Sequence, residues 1–340
     1  MTQITCALVL LCMSAPALAI GAPTPPVCSL VQTFPALNSP AYGSHATAAD
    51  MNGDGIADLV CWSEEIRVMA GSRTGEFSEI AGMRILPIFD AYDIDCGDVN
   101  GDGRPDLVVT GASVRCGDGS CLTVTYTGQM QVFLNDGIGF VAQPLQSYGS
   151  DVPEGATLAD LNRDGHRDLV MTMHLAWDPS SERDDTDAIM ILAGDGAGAF
   201  TPVVTLDAGV TNGVAIVADL TFDRLPDIAF ASQSAIAARV LPGLGGFVFG
   251  GPVDFPVGSI PHNVLAAELN ADGFDDLVVE RYFNPLSLFL SKSTDGFAPA
   301  EEFDTADGGD FAVGDIDGDG DSDLVAVAAS VFAGYGEAFA

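Results

Sequence analysis

Basic residues are scarce: 12 Lys and Arg stand against 48 Asp and Glu in a 340-residue chain, a formal net charge of −36. No segment concentrates cations. Phosphate-backbone binding through Lys or Arg therefore has no footprint, and the charge repels nucleic acid and anionic membranes. Long hydrophobic runs are also few. Beyond the first residues the longest is Leu324 to Ala333, too short to span a bilayer, so no membrane insertion is expected. Helical periodicity is missing. So are the G-x-S-x-G elbow and the H-E-x-x-H pair, and Gly-rich stretches such as Gly194-Asp195-Gly196-Ala197-Gly198 precede no helix that would cradle a phosphate. No enzymatic activity is expected.

The N-terminus reads as a processing segment. Ile4 to Met13 is apolar and Ala17-Leu18-Ala19 is a small-x-small cleavage signal, so residues 1–19 are expected to be a secretory signal peptide, although its first residues lack Lys and Arg. Residues 20–26 form a Pro-rich linker, and residues 27–340 a single domain. The mature chain is expected to be secreted, periplasmic or extracellular. An exported context permits disulfides. Cys116 and Cys121 bracket Gly117-Asp118-Gly119-Ser120 and are expected to pair, with metal ligation as the competitor; the pairing of Cys28, Cys61 and Cys96 stays open.

Much of the acidity is local. Asp315-Ile316-Asp317-Gly318-Asp319-Gly320-Asp321-Ser322-Asp323 places carboxylates at positions 1, 3, 5 and 9 of a nine-residue turn, with Gly at position 6. Oxygens at 1, 3, 5 and 9 and a backbone carbonyl at 7 can wrap a hard cation, and the Gly supplies the tight bend. An apolar strand-like run follows, and position 12 is not Glu, so the turn is not an EF-hand. The pattern recurs five more times. Asp50, Asn52, Asp54, Ile56 and Asp58 form the first set; Asp98, Asn100, Asp102, Arg104 and Asp106 the second; Asp160, Asn162, Asp164, His166 and Asp168 the third. The fifth has Glu268, Asn270, Asp272, Phe274 and Asp276, and the sixth ends the series with Asp321 at position 7. Loop 4 is degenerate: Asp219, Thr221, Asp223 and Asp227, with Arg224 where Gly belongs. Its backbone is expected to resist the turn, and Arg224 to neutralise the aspartates in place of an ion. About five structural calcium sites are therefore expected; magnesium, which keeps its waters in a stricter octahedron, suits these loops less well.

The loops begin at Asp50, Asp98, Asp160, Asp219, Glu268 and Asp315. Around each, a run of small residues precedes the loop and a continuous apolar run such as Leu107-Val108-Val109 follows it. A third run ends in a Gly-rich turn with Phe77, Phe140, Phe200, Phe247, Phe297 or Phe339, and a more polar fourth run leads on. Four short strands per repeat predict an all-β, six-bladed β-propeller of four-stranded antiparallel blades, with seven blades as the alternative. The sixth repeat stops where its fourth strand should begin, and Val27 to Phe34 is placed to supply that strand and close the ring.

The six loops in register resemble FG-GAP or VCBS repeats, which build the propeller of integrin α-subunit heads. The resemblance covers nearly the whole mature chain. It implies calcium in the turn between the first two strands of each blade, and it does not imply one function.

Function is expected on the opposite face. The longer second and third repeats carry insertions there, Gly111 to Gly128 and His174 to Asp187. His174, Trp177 and Asp178 on the second insertion, with His45 and His262 at first-strand starts, are the candidate ligand-binding residues; a Trp on a polar loop can stack on a sugar or anchor a protein. Asp93, Glu154, Asn212 and Asp310 would complete a polar rim with the two His. The expected activity is a monomeric, non-catalytic binding or adhesion module for an extracellular protein or glycan. A lectin, or a glycan-active hydrolase or lyase at the axial channel, is the alternative.

Overall fold

The structure is a computed structural model that describes residues 45–62, 65–73, 76–116, 124–175, 186–209, 211–270, 272–281, 286–292, 296–303, 311–314, 323–327 and 336–339. All regular structure among them is β, and strands pair antiparallel with their neighbours in chain order. The first sheet holds β1 (His45–Ala49), β2 (Asp58–Trp62), β3 (Ile66–Ala70) and β4 (Ser78–Ile85). The second holds β5 (Asp90–Gly97), β6 (Asp106–Cys116), β7 (Val124–Asn135) and β8 (Phe140–Ala142), with β9 (Gln146–Gly149) also on β7. The third holds β10 (Val152–Ala159), β11 (Asp168–Leu175), β12 (Thr186–Gly194) and β13 (Phe200–Gly209). The fourth holds β14 (Thr211–Ala218), β15 (Asp227–Ser232), β16 (Ala237–Leu241) and β17 (Val253–Pro256). The fifth holds β18 (Pro261–Ala267), β19 (Asp276–Arg281), β20 (Leu286–Phe289) and β21 (Glu301–Phe303). A sixth, three-stranded among the described residues, holds β22 (Phe311–Gly314), β23 (Asp323–Val327) and β24 (Gly336–Phe339).

Second strands are apolar on both faces because both faces are covered. Every residue of β2 and β15 is buried. Val60 and Trp62 of the first sheet share a core with Leu107, Val109 and Phe133 of the second. Val108 and Met130 of the second meet Leu169 and Met171 of the third. Ile189 and Ile191 of the third meet Ile228 and Phe230 of the fourth, and Ala229 and Val240 of the fourth meet Leu277, Val279 and Phe289 of the fifth. The first five sheets thus each bury a face on their neighbour in chain order. Truncating the fully buried Phe230 to Ala would cost about 3–5 kcal/mol through the cavity left between two sheets.

First strands lie side by side in succession: β1 on β5, β5 on β10, β10 on β14 and β14 on β18. Small residues are required there. A Cβ on Gly155 would sit 3.1 Å from the Val214 Cα. Four of these strands also carry a β-bulge at one level. Ala91 and Asp93 oppose consecutive Gly111 and Thr110, leaving Tyr92 outside the ladder. Glu154 is set aside in the same way in β10, the stretch between Asn212 and Ile216 in β14, and His262 in β18.

Two insertions differ from simple loops. The one in the second sheet continues the ladder as a ribbon, from Ala112↔Gly128 to Cys116↔Val124, with Val114 and Tyr126 exposed and directly opposite each other. The fourth run of that sheet is split into β8 and β9. In the third sheet the ladder ends with Leu175↔Thr186. The signal peptide, the linker, the Val27 to Phe34 closing strand, the Cys116–Cys121 pairing, Trp177, Asp178 and the His45 side chain lie outside the described residues. Cys61 and Cys96 are free thiols, and burial pushes Cys61 up to about 11.

Candidate metal loops and the opposite face

Each of the first five acidic loops folds around its own carboxylates. In the first, Asp50 accepts the backbone N–H groups of Gly53 (2.8 Å), Asp54 (3.0 Å) and Gly55 (2.8 Å). Asn52 accepts from Asp54 N–H and Asp54 from Ile56 N–H, each at 2.9 Å. The same ladder recurs from Asp98, Asn100 and Asp102 to the N–H groups up to Arg104, and from Asp160, Asn162 and Asp164 to those up to His166. In the fifth loop Asn270 and Asp272 repeat it, while Glu268 reaches Asn270 and Gly273. These donors matter electrostatically. Burial opposes ionisation of Asp98, yet its four N–H partners together hold it below the usual carboxylate range.

Position 9 does something different. Asp58, Asp106, Asp168, Asp227 and Asp276 are wholly buried. One oxygen accepts the N–H of position 2: Met51 (3.0 Å), Val99 (3.0 Å), Leu161 (2.9 Å), Leu220 (2.8 Å) and Leu269 (2.8 Å). The other accepts an N–H at or just past the end of the third strand: Gly71 (2.9 Å), Asn135 (2.8 Å), Gly194 (3.0 Å), Gly243 (2.7 Å) and Ser291 (2.6 Å). Burial raises all five carboxyls despite these donors. The ninth residue is thus a brace between the loop and a strand two places on, a role that spacing alone did not separate from ligation.

Loop 4 corrects an expectation. Arg224 adopts φ +69° and Phe222 φ +62°, so the backbone makes the turn without glycine. Asp223 and Arg224 N–H groups still bond Asp219, and Leu225 N–H bonds Asp223. The compensation is aromatic: Phe222 lies 5.2 Å from Phe274 and 5.4 Å from Phe297, both in the fifth repeat. Such ring pairs add about 0.5–1.5 kcal/mol beyond area burial and offset the cost of left-handed backbone. Among the described residues Arg224 forms no ion pair with these aspartates.

A calcium fit rests on donor chemistry. Positions 1, 3 and 5 and the carbonyl of position 7 are all oxygen, on exposed or half-buried residues, the donor set a hard cation takes. Among the described residues no three His, Cys, Asp or Glu side chains converge on one point. Asp315, Asp317, Asp319 and Asp321 and the Asp323 side chain lie outside the described residues.

At the opposite end, His174 Nδ1 is 3.0 Å from Asp187 Oδ1, while Asp187 Oδ2 accepts the Thr211 N–H (2.6 Å) and hydroxyl (3.0 Å). His262 Nδ1 is 3.3 Å from Glu280 Oε2. His174 and His262 thus sit in the third and fifth sheets, each beside a carboxylate. Asp93 turns away from the expected rim: its Oδ2 accepts the Ala156 N–H (2.9 Å), and Asp95 accepts that of Leu158 (2.7 Å), closing the open edge of β10. Tyr92, which sequence reasoning missed, occupies the bulge instead.

Fold and loops define an all-β repeat protein of antiparallel sheets braced by acidic turns. The model of the FG-GAP-like repeat matches residues 50–109 and 219–279, so the repeat recognised in the acidic loops is present twice by that measure. No curated protein matches the chain. Among solved structures, BBS1N in complex with ARL6DN, soaked with lead, is similar at 12% identity and a TM-score of 0.46, over 84% of this chain and 89% of that one. A functionally unknown protein from Desulfotomaculum acetoxidans DSM 771 is similar at 14% identity and a TM-score of 0.49, over 82% and 76%.

Proposed function

We propose that the chain is a secreted, calcium-stabilised six-bladed propeller that binds an extracellular protein or glycan on the face opposite its acidic loops, without catalysis. One observation carries the reading: successive sheets repeat the same braced turn at one end while their first strands stand side by side. The sixth sheet takes Val27 to Phe34 as its fourth strand, and the ring closes. Calcium in the loops supplies rigidity, with the position-1, 3 and 5 side chains and the position-7 carbonyls as its oxygen donors; the working surface is left to the bulged strand starts and the two insertions.

Metal content by mass spectrometry after equilibration with calcium, together with a glycan and matrix-protein array, tests the reading. About five ions per chain and a calcium-dependent array signal are expected. A metal-free chain that melts identically in chelator overturns the calcium part, and turnover of any array glycan overturns the non-catalytic part.

A further inference from the structure

One buried side chain joins two of the acidic loops. Asn135, at the end of β7, is 1% exposed and has all its polar groups engaged. Its N–H bonds Asp106, the brace of loop 2 (2.8 Å), and its carbonyl accepts Arg104 Nε (2.9 Å). Its side-chain amide donates to the Pro105 carbonyl in loop 2 (3.1 Å) and to the Met51 carbonyl in loop 1 (2.8 Å), while Oδ1 accepts the Gly137 N–H (2.9 Å). The counterparts of Asn135 in the first, third and fourth repeats are Gly71, Gly194 and Gly243, where an added Cβ would collide with the position-8 carbonyls of Ala57, Arg167 and Pro226. In the fifth repeat Ser291 turns its hydroxyl to Asp272 of its own loop (2.8 Å). Asn135 instead reaches back to the loop of the preceding repeat. The position-2 carbonyl that it takes is used again one repeat on, where Val99 accepts the Gly198 N–H of the third sheet (3.0 Å).

We propose that loops 1 and 2 bind calcium cooperatively, with Asn135 as the positioning residue that couples them. The proposal rests on the reading that these loops hold calcium. Met51 stands between Asp50 and Asn52, and Pro105 follows Arg104, the position-7 carbonyl, so each bonded carbonyl adjoins residues that would carry ligand oxygens. One amide takes both carbonyls only while both loops keep their turns. Met51 also donates its N–H to Asp58 (3.0 Å), so a continuous run of hydrogen bonds joins the first brace, through Met51 and Asn135, to the second. Burial makes that run costly to break, because an amide or carbonyl left without a partner inside the protein loses more than an exposed one. Calcium in loop 1 fixes Met51 and, through it, the amide of Asn135; loop 2 then meets its ion with less left to order. The coupling is reciprocal, so calcium in loop 2 favours loop 1 by the same factor.

Hydrogen–deuterium exchange of the full chain across a calcium titration tests the coupling, with peptides covering residues 50–58 and 98–106 reporting each loop separately. Asp54→Ala disables loop 1, which its own peptide verifies, and the calcium midpoint for protecting loop 2 is expected to rise about fivefold or more. In Asn135→Gly, the residue that stands at this place in three repeats, the loop 2 midpoint no longer responds to Asp54→Ala. Asp272→Ala in the fifth loop leaves the loop 2 midpoint where it was. An unchanged midpoint in Asp54→Ala, a shift that persists in Asn135→Gly, or an equal shift from Asp272→Ala overturns the proposal. Asn135→Ser, the residue of the fifth repeat, provides the same test where Asn135→Gly lowers the melting temperature. Loops protected by calcium at independent midpoints sink the coupling alone; loops whose protection ignores calcium sink the calcium reading and the coupling with it.

Discussion

Asp58 holds the Gly71 N–H at 2.9 Å across thirteen residues of chain, and its second oxygen holds Met51 at the mouth of its own loop. The arrangement makes the ninth loop residue a brace for three of the four strands of its sheet. Four further aspartates repeat it, so in each of five repeats one side chain sets the loop relative to the sheet.

Replacing a brace is therefore expected to cost more than replacing a position-5 residue. Asp168→Asn turns one acceptor into a donor facing Leu161 N–H or Gly194 N–H inside a buried site. A loss of about 2 kcal/mol or more follows, because a buried donor is left unsatisfied. Asp164→Asn retains its Oδ1 acceptor for His166 and is expected to be far milder in calcium-free buffer. Urea unfolding of the two variants checks the order; equal midpoints would remove the brace from the account.

Calcium should act through the native state only. At a free concentration about 100 times Kd, one site adds about 2.7 kcal/mol, and chelation removes it. The melting temperature is expected to fall in chelator and to recover on calcium addition. Loop 4 refines the measurement. Arg224 makes the required turn, so Asp223→Ala should lower bound calcium by one ion if the loop is a site, and leave the content unchanged if Phe222 packing replaced the ion.

Repetition made the fold legible before any coordinates. Six acidic loops and their apolar followers marked the second strands, and the small residues of Ala46 to Ala49 marked a first strand with little room. What the spacing could not separate was ligation from bracing: Asp58 and Asp54 are the same kind of residue, but one is buried against three backbone N–H groups and the other exposed. The bulges were equally hidden. Tyr92 and Asp93 are adjacent, and only the register with Gly111 and Thr110 decides which one leaves the ladder. Phe222 looked like a defect in a metal loop because its partners, Phe274 and Phe297, lie one repeat away.

Close approach of first strands gives a third test. Gly213 has φ +73°, and a Cβ there would lie 2.8 Å from the His262 carbonyl oxygen. Gly213→Ala pays both the left-handed backbone and the displaced bulge, and a loss of about 1–3 kcal/mol is expected. Gly251→Ala, with nothing within 4 Å of its Cβ, is expected to be near neutral. Thermal melts of the pair decide whether the strands touch as described.

The last test concerns pH. Burial pushes Asp93 up to about 7, against the pull of the Ala156 and Ile94 N–H groups, and neighbouring Asp95 raises it further. The group faces Cys96 and Asp95 on its own strand and the β10 edge across the sheet boundary, with Arg167 acting on Asp95. Because the folded pKa lies above the unfolded value, the folded state binds the proton more tightly. The resulting stability is fully present below the unfolded pKa and is lost as pH rises through about 7. Between those limits the slope approaches, at most, about 1.4 kcal/mol per pH unit. Denaturant midpoints should therefore fall between pH 5 and pH 8.5. Asp93→Asn keeps an oxygen for the Ala156 N–H but cannot ionise, so its midpoint should fall less over the same range and exceed that of the parent chain at pH 8.5. Parallel pH profiles for the two chains would show that the carboxyl is not desolvated between the second and third sheets.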